Sequence, residues 1–112
     1  MSERGVFAVD RGVFDHPLFD DGREPLTKRE AWLWMLAEAS WRDRQKNVAG
    51  ALVTLQRGQL LHSIRFMAQA WRWSKSTVAR FLDRLEREKM VVLKSGTPTG
   101  TGESLITICN YN

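Results

Sequence analysis

Two serines constrain this chain more than any other residues. Ser63 and Ser74 each stand just ahead of an apolar stripe of helical period, and only 11 positions separate them. A serine at a helix N-cap accepts a hydrogen bond from a first-turn backbone N–H that would otherwise lack a partner. After Ser63, the residues Ile64, Met67, Ala68 and Trp71 share one helical face. After Ser74, the residues Val78, Phe81, Leu82 and Leu85 do the same. The first helix must therefore end before the second cap, and residues 71–73 are left for the connection. Two helices meeting through so short a turn form the unit in which DNA-reading proteins lay the second helix in the major groove.

The second helix has a definite outer face. At about 100° per residue, Ser76, Arg80, Asp83 and Arg87 point away from the apolar stripe, with Thr77 and Arg84 beside them. Its N-terminal part is the part that reaches base edges, which selects Ser76, Thr77 and Arg80. Arginine is the side chain best suited to a forked contact with guanine. Ser74 and Lys75 sit where free N–H groups and the helix dipole favour a phosphate. Residues 71–89 hold six basic and three acidic side chains, most of the chain's net charge of +4. That balance permits polyanion binding without demanding it. Spacing alone also allows a plain solvated face, with Arg80, Asp83 and Arg87 forming surface ion pairs.

The flanking sequence completes an expected order. "GVFAVDRGVFDHPLF" reads as an irregular arm whose apolar side chains dock on a core, and residues 20–25 as a loop. Thr27 and Glu30 have capping-box spacing. They open a helix with Trp32, Met35, Leu36 and Ala39 on one face, ending near residues 40–42. Polar residues 42–50 break that pattern. "ALVTLQRGQLLHS" predicts a short strand with a turn at Arg57 and Gly58. "MVVLK" and "SLITIC" predict a closing hairpin around the loop "SGTPTGTGE". The order is helix, strand, helix, turn, helix, hairpin. The expected fold is mainly α with a small β-hairpin, a winged helix-turn-helix. It forms one domain over residues 1–112, with residues 1–25 as arm and loop and 26–112 as core and wing. The wing carries Lys94 at its base and Thr97 and Thr99 at its tip, whose hydroxyls suit phosphates. Arg65 and Arg72 could touch the DNA backbone.

Other chemistry finds little footing. His16, His62 and Cys109 have no metal-ligand spacing. The glycines of "GTPTGTG" lack the Lys-Ser/Thr ending of a phosphate loop. No carboxylate pair stands out, so a non-enzyme without cofactor is expected. The longest apolar run, residues 31–37, is too short to span a bilayer. One cysteine and no signal-peptide pattern predict a cytoplasmic protein. Trp32, Trp71 and one or both of Trp34 and Trp73 fall on or beside apolar stripes; Trp41 is left as a partner-binding residue.

The segments "FDHPLF", "REAWLWMLAEASW", "LVTLQRGQLLHSIRFMAQAWRWSKSTVARFLDRLEREKMV" and "SLITICNYN" together resemble the N-terminal winged-helix domain of phage replisome-organiser and DnaD-like replication initiation proteins. The similarity runs from about Phe7 to Asn112. It is most specific at "LQRGQ", at "WSKSTVARFLDRLE" and at "ITICNY". It implies binding of double-stranded DNA in phage or prophage replication initiation, or a role as a small transcription regulator. It also implies self-association as a dimer, contact with replication proteins, and DNA contacts at Ser74, Lys75, Ser76, Thr77, Arg80 and Arg84. Two positions depart from the family pattern: Arg72 stands where glycine is common, and the wing lacks the usual lysines and arginines. The competing expectation is a protein–protein adaptor on the same scaffold without DNA.

Overall fold

The computed structural model describes residues 7–19, 24–48, 50–94 and 103–111. A 3₁₀ turn, Arg11–Phe14, is followed by α1 (Lys28–Glu38), β1 (Arg44–Val48), β2 (Ala51–Leu55), β3 (Gln59–Ser63), α2 (Ile64–Trp71), α3 (Lys75–Arg87), β4 (Val91–Lys94) and β5 (Glu103–Ile108). The strands form two antiparallel sheets, a β1–β2 ribbon and a three-stranded sheet of order β3-β5-β4. The molecule is thus a mixed α+β domain, and the expectation of a mainly α fold with one small hairpin is overturned. Residues 42–50, read as a polar break, are largely a strand. The segment read as one strand is two, β2 and β3, either side of the turn at Gly58. The third strand of the main sheet comes from pairing across the chain, Leu60 opposite Ile106 and His62 opposite Ser104.

The caps form as their chemistry requires. Thr27 and Glu30 make both bonds of the capping box. Ser63 Oγ accepts from Phe66 N–H, and Ser74 Oγ from Thr77 N–H. The first helix stops at Glu38, earlier than its apolar pattern, because Ala39 turns to extended backbone. Arg11 holds that end: its Nε donates to Ala37 O at 2.7 Å. A cation on the last carbonyls also suits the negative end of the helix dipole.

The sheet is covered on both faces because neighbouring strand residues point opposite ways. Leu60 and Ile106 join Met35, Met67, Trp71, Val78, Leu82 and Leu85 in the main core under the helices. Leu61 instead meets Val48 and Leu55 of the ribbon in a second, smaller core. Trp71 is the fully buried centre of the main core. Trp34, Trp73 and Phe81 stand nearly perpendicular to it at 5.6, 5.0 and 5.9 Å. The arm docks only in part: Val13 and Phe14 are half-buried and line a groove with Leu33 and Leu36 of α1, while Phe7, Val9, Leu18 and Phe19 are exposed.

Arg72 closes α2 with a left-handed backbone, φ 59°. A Cβ in that region carries a steric cost that glycine escapes. Arg72→Gly is therefore expected to raise stability by roughly 0.5–1 kcal/mol in thermal melts. An unchanged or lower melting temperature would show that the Arg72 side chain, which donates to Glu24 O at 3.3 Å, matters more than its backbone.

His62 ties β3 to α1. Its Nε2 lies 2.9 Å from Glu38 Oε1, and its ring stacks on Phe66 at 4.6 Å. The hydrogen bond from His62 holds the Glu38 carboxyl below its ordinary value of 4.5, against the opposing effect of burial. A depressed carboxyl adds stability above its unfolded value and loses it as pH falls through the lower folded value. Glu38→Gln should remove that acid-side decline, leaving a flatter stability curve by urea denaturation between neutral and acid pH. Parallel curves for the two proteins would rule out this linkage.

Candidate nucleic-acid interface

The α2–α3 connection runs through residues 72–74. The N–H groups of Arg72 and Trp73 both return to Ala68 O, which ends α2 sharply. The new helix starts on Ser74. Val78, Leu82 and Leu85 are buried, while Ser76, Arg80, Asp83 and Arg87 are exposed, as the periodicity predicts.

At the start of α3 the hydroxyls form a cluster. Ser74 Oγ lies 2.7 Å from Thr77 Oγ1 and 3.2 Å from Ser76 Oγ. Thr77 Oγ1 accepts from Arg80 Nη2 at 3.3 Å. The guanidinium is thus drawn back toward the N-terminal turn, and its remaining N–H groups have no partner among the described residues. The Ser74 hydroxyl serves the cap, which leaves Lys75, Ser76 and Arg80 as the outward groups of this end.

Thr77, Arg80 and Arg84 line one open groove with Trp73, Phe81, Glu88 and Lys28. Lys28 was not expected there. It comes from the first turn of α1, and a set of long-range bonds brings it in. Leu26 N–H donates to Trp71 O at 3.0 Å, and Trp73 Nε1 donates to Leu26 O at 2.8 Å. These bonds, with the one from Arg72 to Glu24 O, pin the segment before α1 to the α2–α3 turn. The capping box already showed where α1 begins; no local signal said which helix its first lysine would face.

Arg84 is paired with Glu88 at 3.0 Å, both side chains exposed. An exposed pair of this kind is worth little, so phosphate can take the place of Glu88. Lys28 and Arg80 are in no ion pair among the described residues. The other expected contacts are dispersed. Arg65 is exposed on the first turn of α2, outside the groove, and Lys94 ends β4. Thr97 and Thr99 lie outside the described residues. Among the described residues no three His, Cys, Asp or Glu side chains are grouped to hold a metal ion. None of the described helices is long and apolar enough to cross a membrane.

Comparison with family models, with curated proteins and with solved structures returns no match for this chain.

Proposed function

We propose that this protein binds double-stranded DNA, with the first turns of α3 in the major groove and the sugar–phosphate backbone along the groove between α3 and α1. One observation carries the reading: Arg80, exposed and held by Thr77, shares an open groove with Lys28 and Arg84 from two different helices. Arg80 and Ser76 would meet base edges, since a guanidinium fork matches guanine and a hydroxyl accommodates several bases. Lys28, Lys75 and Arg84 would hold phosphates and fix the register. The half-buried Trp73 and Phe81 offer the sugars an apolar floor. With few cations engaged, the salt dependence should correspond to about three to five released counterions. Phage or prophage replication initiation, or a small regulatory role, is the setting that the resemblance to replisome-organiser and DnaD-like proteins suggests.

Repeated selection from a randomised duplex pool tests the reading. Enrichment of a short shared site supports it, and a pool that stays random after several rounds counts against it. A second reading, a protein–protein adaptor, is favoured by the apolar groove that Phe7, Val9, Val13 and Phe14 form with Leu33 and Leu36 of α1. Phe7 is 85% and Leu33 45% exposed. On that reading a protein covers the arm, and duplex DNA at low salt binds no better than a neutral polymer.

A further inference from the structure

A second cluster of charge and aromatic surface lies outside α2 and α3, at the end of the main sheet where β3 begins and β5 finishes. Three arginines meet there, from the 3₁₀ turn, from the α1–β1 connection and from the β2–β3 turn. The Arg11 guanidinium donates to Ala37 O and, at 3.1 Å, to the Tyr111 hydroxyl. Arg57 donates to the carbonyl of Trp41, and its guanidinium carbon lies 5.2 Å from the Tyr111 ring centroid. Arg42 lies over the Trp41 ring at 4.6 Å. Arg57 thus bridges the two aromatic groups.

The acceptors that hold these guanidiniums are neutral. None of the three is in an ion pair among the described residues. Two carboxylates stand beside the cluster, and each accepts from a backbone N–H: Asp43 from Arg57 at 3.0 Å and Asp10 from Gly12 at 2.7 Å. Arg44 adds a further cation, donating to Ser40 Oγ at 2.7 Å, though it also feels Glu38. Gathering like charges without carboxylate partners costs the folded state energy. A ligand that supplies the missing negative charge recovers it. A guanidinium lying on a ring keeps its N–H edge outward, in the fork that fits phosphate. Trp41 is 55% exposed, which leaves ring surface open beside that charge. Aromatic planes interleaved with cations suit an unpaired strand, whose bases stack on rings or guanidiniums while its phosphates meet the charges. A duplex hides its base faces and could use only the cations.

We propose that the cluster of Trp41, Arg42, Arg57, Tyr111 and Arg11 binds a short stretch of single-stranded nucleic acid. Bases stack on the Trp41–Arg42 and Tyr111–Arg57 platforms, and phosphates sit on the guanidinium edges. This site is separate from the α3 groove, and either can fail alone.

The test is fluorescence anisotropy of the full chain with a labelled oligothymidylate and, in parallel, a blunt duplex, both at low salt. The wild type should bind the single strand. Trp41→Ala should weaken that binding roughly tenfold or more. Arg42→Gln should lower the log–log salt slope for the single strand by about 0.7. Trp41→Ala should leave duplex affinity unchanged, whereas Arg80→Ala should leave single-strand affinity intact. If circular dichroism shows that Trp41→Ala is unfolded, Arg42→Gln carries the test. The proposal is overturned if oligothymidylate does not bind, or if both variants bind it like the wild type. It is overturned too if Arg80→Ala removes single-strand binding, or if polyglutamate displaces the strand as well as unlabelled oligothymidylate does.

Discussion

Trp71→Ala is expected to remove about 3–5 kcal/mol of stability, a large part of what a domain of this size has in reserve. Trp71 is fully buried, and three aromatic rings stand edge-on to it. Those rings come from α1, from the α2–α3 turn and from α3, so the cavity would open where all three helices meet. The loss combines the transfer energy of a large indole with a void that the surrounding rings cannot close. Urea unfolding followed by near-ultraviolet circular dichroism measures it. Trp71→Phe is the companion variant. The Trp71 Nε1–H is buried without a hydrogen-bond partner among the described residues. Phenylalanine keeps an aromatic body and deletes that unsatisfied donor. Its cost should be well under half that of alanine. A similar loss for both variants would mean that ring size, rather than the shared aromatic packing, governs the site.

The second large effect concerns binding. Arg80→Ala is expected to weaken binding to a selected duplex by about 1–3 kcal/mol, roughly 5- to 150-fold, and to relax base preference at one position. Arg80→Lys should recover part of the affinity and little of the preference, because an ammonium cannot form the planar fork. Lys28→Gln should behave differently. It should weaken all duplex sequences alike and reduce the salt slope by about 1, as loss of one phosphate contact does. Equal losses on every sequence for Arg80→Ala would move that residue from base reading to phosphate binding.

The parts of the fold that could be read from sequence are those set by neighbours along the chain. The capping box at Thr27 and Glu30, the caps at Ser63 and Ser74, and the stripe from Val78 to Leu85 all act within one or two helical turns. Strand pairing does not. The run of Arg44, Gln45, Lys46 and Asn47 has no apolar alternation, and it becomes a strand because β2 pairs with it and Val48 covers Leu61. Likewise β3 enters the main sheet only through β5, with Gln59 opposite Thr107. These distant pairings are why a mainly α expectation gave way to a mixed domain. The same division runs through the two proposed binding surfaces. The outer face of α3 followed from periodicity. Lys28 needed the bonds between Leu26 and the α2–α3 turn, and the meeting of Arg11, Arg57 and Tyr111 needed the whole sheet.

The proposed function rests on α3 presenting its outer face to duplex DNA. The most direct measurement is the affinity of the wild type for a selected duplex across a salt series, repeated with Arg80→Ala. Expected are saturable binding at low salt, a log–log slope near −3 to −5, and a loss of roughly 5- to 150-fold for the variant. Absence of duplex binding at low salt, or identical curves for the two proteins, would contradict it.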